Sequence, residues 1–426
     1  MNEHPLWRLS EVAAVLGLPK PAEDAAIDGL QFDSRAVGPG DLFLAMRGAK
    51  ADGAEFIAAA AAQGAVAALT TRLVPEVPIP QLVVPDVLAA LMALGQAARE
   101  RFQGPVIGVG GSVGKTTTTA MIKALLNAHA PMGSLNNHVG VPLTLARLPR
   151  NAAACVSEIG TNHVGEIAPL AKQVRPDVAL ITNVVEEHLE GLGSLEAVRL
   201  EELAIVQGLP ENGLLVVPDD LEITGSGWHG TVRRFNPAAP LQIAIQEPTL
   251  ARIACANAAL AVLAALNIVP EAAALARLAA VAPPEGRGQV QQVRGIAVID
   301  DSYNANPASL VAALGALRQR PAMRRIAVLG DMRELGVEEV RFHTDLVPLV
   351  AGLEGVILVG PLMQHLAPLL PAAQLWGAFP NPDDFVPATL ALRLHTGDVV
   401  LVKGSKSITF TRRHAPRLLE ALRRDA

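Results

Sequence analysis

Lys115 and Thr116 follow a run of glycines that itself follows a short β-branched stretch, in VIGVGGSVGKTTTT from Val106 to Thr119. That order of strand, glycines, lysine and hydroxyl suits a polyphosphate. Glycines let successive backbone N–H groups turn inward around an anion, and a helix starting at Lys115 adds its positive end. In this arrangement Lys115 reaches the terminal phosphates and the Thr116 hydroxyl ligates Mg²⁺. The spacing is a variant of G-x-x-x-x-G-K-T: the leading glycine of the pattern falls on Val109, with Gly108 and Gly110 on either side. A glycine-rich structural turn before a helix is the plainer reading of the same letters. The lysine and hydroxyls favour the nucleotide.

A second set of chemistry-bearing residues follows apolar runs. Glu158 closes one such run and leads into Gly160, Thr161, Asn162 and His163; Asn183 closes the next, with His188 and Glu190 just beyond. A carboxylate and an imidazole converging on a P-loop threonine would hold a divalent ion between nucleotide and acceptor. Each residue alone serves as readily as a cap or a surface group, so the reading rests on their joint placement at strand ends.

The elements that must position these groups are visible as alternation. From about Gly104 the chain alternates strands at Ala154–Ile159, Val178–Val184 and Leu214–Val217 with helical segments. This is the βαβ rhythm of a mostly parallel sheet, which binds its ligand beyond the carboxyl ends of the strands. A third unit begins near Gly286 with strands at Gly295–Asp301, Arg325–Leu329, Gly355–Val359 and Asp398–Val402, each ending in a polar or glycine-rich turn. The first unit, up to about Phe102, carries a Pro39-Gly40 turn between strand-like runs, an Ala-rich helix from Gly53 to Gly64, and strands at Ala65–Thr70 and Gln81–Val84. Asp33-Ser34-Arg35 precedes that turn; taken alone it reads more readily as turn chemistry than as a binding site.

Composition bounds the function classes. The 426 residues allow two to four domains, and a net charge of −6 gives no basic excess for a general nucleic-acid binder. Cys155 and Cys255 both lie in apolar runs, which suits buried thiols in a reducing cytosol. The N-terminus shows no basic region followed by an apolar run, and the apolar stretch Ile253–Val269 carries Asn257 and Asn267, so it reads as a buried helix and not as a membrane span. A cytoplasmic protein without stable membrane insertion is expected.

Taken together, DSRAVGPGDLF, GSVGKTTT, SLNNHVGVPLTL, EIGTNHVGEIA, RPDVALITNV, HLEGLGSLE, DDSYNANPAS, VLGDMRELG and VKGSKS occur in the order found in one family. The chain resembles the Mur ligases, ATP-dependent amide-forming enzymes of peptidoglycan synthesis. Among them it resembles the type that adds D-alanyl-D-alanine to UDP-N-acetylmuramoyl-tripeptide. The resemblance implies an α/β protein of three domains: residues 1–103 binding the UDP-substrate, 104–284 a central P-loop domain with a parallel sheet, and 285–426 a Rossmann-like C-terminal domain. It implies ATP and Mg²⁺ as cofactors, the two substrates as partners, no nucleic acid, and a monomer.

The resemblance also implies roles. Gly111, Ser112, Val113, Gly114, Lys115, Thr116 and Thr117 would cradle the phosphates. Thr116 and Glu158 would hold one Mg²⁺ and His188 a second. Asn136 and Asn137 would line the nucleotide-sugar groove, and Ser34 and Arg35 would hold the UDP part. Arg287 would reach the γ-phosphate, Tyr303, Asn304 and Asn306 would frame the nucleotide with Asp301 near the ribose, and Lys406 would sit near the incoming dipeptide. The catalytic set is then Lys115, Glu158, His188 and Arg287. The same resemblance leaves two other readings open: a paralogue joining a different carboxylate and amine, and a nucleotide-binding descendant without ligation.

Three positions depart from the family pattern. Gly110 stands where the family usually has Thr. The family carries a carbamylated, Mg²⁺-holding lysine about fourteen residues after the metal-ligand histidine, and counting from His188 gives Glu202. Glu202 keeps the charge sign at shorter reach, so it either replaces the carbamate, through a Mg²⁺-bound water, or is a solvated helix-face carboxylate beside Glu201. Near Ile253 a His-Asn pair used beside adenine is absent and only Asn257 remains, which leaves an apolar wall.

Overall fold

The computed structural model describes residues 5–48, 51–405 and 414–424. Among them, three parallel-type sheets follow one another along the chain. The first consists of β1 (Gly29–Gln31), β2 (Asp41–Leu44), β3 (Ala67–Thr70) and β4 (Gln81–Val83), all parallel and in that spatial order. The β1–β2 connection is short because Asp33 caps a single 3₁₀ turn at Ser34–Ala36 and Gly40 turns the chain at φ +87°. Helix α1 (Val87–Arg101) starts at Asp86, whose carboxylate accepts from Leu88 N and Ala89 N. It packs on α3 (Gly140–Ala146), and a Cβ at Gly95 would lie 2.9 Å from the Pro142 carbonyl, so the glycine permits the close crossing.

The second sheet contains β5 (Val106–Gly110), β6 (Cys155–Glu158), β7 (Val178–Ile181), β8 (Leu214–Pro218) and β9 (Thr231–Phe235) in the order β9-β8-β7-β5-β6, all parallel. The four strands other than β9 are almost wholly buried, since helices cover both faces, and they accordingly read as largely apolar runs, with Ser157 and Glu158 the polar residues at the end of β6. On one face lie α2 (Lys115–Leu126) and α5 (Leu250–Ala265); their core includes Met121, Ile122, Ala259 and Val262. The apolar stretch from Ile253 thus belongs to a packed helix, and no helix among the described residues is long and apolar enough to cross a membrane. Because β5 lies between β7 and β6, the carboxyl ends of these strands bring Gly111, Asn183 and Glu158 to one edge.

The third sheet is β10 (Gln289–Val293), β11 (Ile296–Asp301), β12 (Arg324–Gly330), β13 (Gly355–Val359), β14 (Leu375–Phe379) and β15 (Asp398–Lys403), ordered β10-β11-β15-β12-β13-β14 with only β10 antiparallel. Helix α6 (Pro307–Gln319) opens with a capping box in which the Asn306 side chain accepts from Ser309 N and Ser309 Oγ from Asn306 N. The expected strands are found within a residue or a few of their ends. The strands β9, β10 and β14 are additional, and each lies at a sheet edge: TVRRF and QVQQV mix in polar side chains that meet water, whereas LWGAF is apolar but short and broken by a glycine.

Candidate active site

The P-loop forms as its residue types require. Gly111 (φ +110°) and Gly114 (φ +90°) take left-handed backbone that other residues adopt at a cost, and a Cβ on Gly111 would lie 2.3 Å from Thr182 Oγ1. The loop is bound from behind: Ser112 N donates to the Asn183 carbonyl and Val113 N to Asn183 Oδ1, both at 2.9 Å. Helix α2 then begins at Lys115. The Lys115 ammonium donates to the Gly111 and Ser112 carbonyls and lies 3.8 Å from Glu187. Burial lowers its pKa, but Glu187, Glu202 and Glu158 outweigh this and hold it above the usual value. Burial conversely raises the Glu187 carboxyl, against Lys115 and His188.

A cavity of about 710 Å³ opens over this loop and gathers most of the expected groups: Ser112, Gly114, Lys115, Thr116, Asn136, Asn137, Glu158, His188, Arg287, Tyr303, Asn304 and Asn306. Glu158 is almost inaccessible; Asn136 Nδ2 donates to its Oε1 at 2.8 Å, and its Oε2 is buried without a partner among the described residues. Thr116 Oγ1 and Arg287 Nη2 each lie 2.9 Å from Ser134 Oγ, and the Arg287 guanidinium stacks 4.0 Å above the Tyr303 ring. The His188 Nδ1 pairs with Glu334, which fixes the ring and leaves its other nitrogen for a ligand. Burial lowers the His188 pKa, but Glu334 and Glu187 carry it above the usual value.

A second cavity of about 340 Å³ adjoins the first. Ser112, Val113, Gly114, Thr117 and Asn183 line it from the central domain, and Asp301, Tyr303, Asn304 and Lys403 from the C-terminal domain. Asp301 is held by Lys403 at 2.8 Å. The expected apolar wall is present as Ala251, Cys255, Ala308 and Ala312.

Some expected residues lie elsewhere. Asn257 lines neither cavity, because its amide donates to the Pro237 and Ala239 carbonyls at 3.1 and 2.9 Å. Ser34 and Arg35 sit in the first domain, outside both cavities, where Arg35 is exposed and pairs with Asp33 at 2.7 Å. Lys406 lies outside the described residues. Glu202 also lines neither cavity; its Oε2 accepts from Gly111 N beneath the loop. The solvated-face alternative for Glu202 is overturned: Glu201 and Glu202 are 5% and 1% exposed, and Glu201 accepts from Gly165 N and Ile167 N.

The sequence reading did not single out Ser134, Glu187, Glu334, Asn183 as a loop brace, or Lys403. Of these, Glu187 carried a signal: it stands directly before His188 in EEH. Ser134 carried none.

The donor set fits a hard divalent cation. No group of three His, Cys, Asp or Glu side chains among the described residues could hold a metal by itself. An ion here therefore needs the Thr116 hydroxyl, phosphate and water besides the unpartnered Glu158 oxygen, which is the ligand type Mg²⁺ prefers.

A P-loop sheet and a second α/β sheet that line one cleft together, with a further α/β unit before them in the chain, define a nucleotide-binding α/β protein of three domains. Three family models match in sequence: Mur ligase family, catalytic domain, at residues 26–101; Mur ligase middle domain at 109–234; and Mur ligase, glutamate ligase domain, at 286–406. The chain is 33% identical to the UDP-N-acetylmuramoyl-tripeptide–D-alanyl-D-alanine ligase of Escherichia coli (strain K12), over 83% of this chain and 85% of that one. Its fold matches a crystal structure of MurF from Acinetobacter baumannii at a TM-score of 0.80 and 28% identity, covering 98% of both chains. It matches the MurF ligase of Thermotoga maritima in complex with ADP at 0.77 and 26%, over 93% of this chain and 98% of that one. The chain belongs to the Mur ligase family.

Proposed function

We propose that the protein uses ATP to join the free carboxylate of UDP-N-acetylmuramoyl-tripeptide to the amine of D-alanyl-D-alanine. The observation that carries this is the convergence of Lys115, Thr116 and Glu158 from one domain with Arg287, Tyr303 and Asn304 from another on a single cavity. On this reading the domains are 1–103, 104–284 and 285–426, with Ser34 and Arg35 serving the UDP end and Lys406 the dipeptide. The same reading takes the protein as a monomer.

A carboxylate is a poor acyl donor because oxide would have to leave. Attack of a carboxylate oxygen on the ATP γ-phosphorus breaks the bond to ADP and makes an acyl phosphate. Charge grows on the transferring oxygens, and Lys115 and Arg287 are the cations available to it. Thr116 and Glu158, with His188 at a second position, would hold Mg²⁺, which supplies further neutralisation of the phosphates. The dipeptide amine then attacks the acyl carbon, phosphate leaves with the former carboxylate oxygen, and the nitrogen loses its proton. Closure of the cleft keeps water from the acyl phosphate.

The test is phosphate release from ATP and Mg²⁺ with the UDP-tripeptide, with and without D-alanyl-D-alanine. Release that needs both, with pentapeptide product by mass, is expected. ATP binding without release under any such combination overturns the reading and moves it to another amine or to a non-catalytic descendant.

A further inference from the structure

We propose that Glu202 is a positioning residue that locks the P-loop from beneath, and that Gly110 is glycine to leave room for its carboxylate. Three backbone amides begin the loop, and each is already committed to a protein acceptor. Gly111 N donates to Glu202 Oε2 at 2.5 Å, Ser112 N to Asn183 O, and Val113 N to Asn183 Oδ1. The amides left for phosphate are those of Gly114 to Thr117, which as the first turn of α2 have no acceptor within the helix. Glu202 and Asn183 therefore decide where the cradle starts.

The glycine at 110 has no conformational reason. It ends strand β5 in ordinary extended backbone, unlike Gly111 and Gly114 with their positive φ. It has a spatial one: a Cβ there would stand 2.9 Å from Glu202 Oε2 and 3.4 Å from Ile205 Cδ1. The carboxylate occupies the volume that a side chain at 110 would take. Glu202 is 1% exposed, on the helix Leu195–Leu203, and its second oxygen is buried without a partner among the described residues. It lines neither cavity, so its route to the nucleotide runs through the Gly111 amide and through the Lys115 charge it helps to hold.

The role rests on the nucleotide-binding part of the proposed function, so its test uses binding and not turnover. ADP affinity is measured by calorimetry in EDTA, which removes any contribution of Glu202 as a metal ligand. E202A is expected to weaken metal-free ADP about tenfold, the worth of one hydrogen bond to a charged acceptor. E202Q, which keeps an acceptor oxygen, recovers most of that loss. G110A weakens ADP as well, because its methyl displaces the carboxylate, but G110A in the E202A background adds nothing further. Additive losses, or wild-type ADP affinity in E202A, would overturn the proposal. So would an effect of E202A seen only with Mg²⁺, which would make the residue a metal ligand instead. If E202A does not fold, G110A and E202Q carry the test, since an unaffected G110A contradicts the displacement on its own. Failure here with ligase activity intact leaves the proposed function standing.

Discussion

At the scale of single residues, the groups that chemistry demands were the legible ones. Lys115, Thr116 and Glu158 are defined by residue type and by position after a strand, and the fold brings all three to the first cavity. Ser134 was not legible, because a lone serine in SLNN has no spacing that marks it; only the fold sets its hydroxyl 2.9 Å from both Thr116 and Arg287. Glu187 carried only its place beside His188 as a signal: its value lies in burial against Lys115, which sequence does not report. The pair makes a prediction. Lys115→Met should lower kcat by about a hundredfold or more, since it removes a cation from the transferring phosphoryl. It should cost little stability, because the Glu187 carboxyl, already raised by burial, takes up a proton once its lysine is gone. Turnover and thermal melting measured on the same preparation check this. A variant that melts many degrees lower would show that Lys115 is first a structural counter-ion.

At the scale of elements, two departures from the family pattern that lie far apart in sequence prove to be neighbours. Gly110 and Glu202 meet behind the P-loop, and neither could be interpreted alone. The parallel strands were legible from their apolar runs, whereas edge strands such as Gln289–Val293 were not, because one side of each faces water. The helix carrying Glu202 also predicts a pH effect. Burial, helped by Glu187 and Glu201, raises this carboxyl from 4.5 to about 7, against the pull of Lys115 and the Gly111 amide. Below pH 4.5 it is protonated in folded and unfolded chains alike and costs nothing. As pH rises toward 7 the unfolded chain releases the proton first, so the native state loses up to about 3 kcal/mol. E202Q removes that loss. Its denaturant midpoint should match the wild type at pH 4 or below and exceed it at pH 8; an advantage independent of pH would show that the carboxyl is not strained by its charge.

At the scale of the molecule, the central and C-terminal domains are joined across the cleft by a few polar contacts. Arg287 donates to Ser134, Asn306 to Glu187 at 3.4 Å, His188 pairs with Glu334, and Arg320 pairs with Glu247 on the rim of the second cavity. None of these was legible, since each joins residues more than seventy positions apart through an orientation that only the folded domains define. Most of them involve groups of the site, so cutting them would confuse chemistry with docking. The Arg320–Glu247 pair is different: both side chains are partly exposed, at 26% and 29%, and neither belongs to the phosphate or metal set. An exposed pair of this kind contributes about 1 kcal/mol or less to folding. Its effect should therefore appear in the approach of the domains. Arg320→Glu is expected to leave the melting temperature nearly unchanged while raising the KM for ATP several-fold, because like charges then face each other across the rim. Adding Glu247→Arg restores attraction with the signs exchanged and should recover most of the loss. Recovery in the double variant assigns the pair to holding the cleft closed over nucleotide, and equal impairment in single and double variants would assign it to local packing instead.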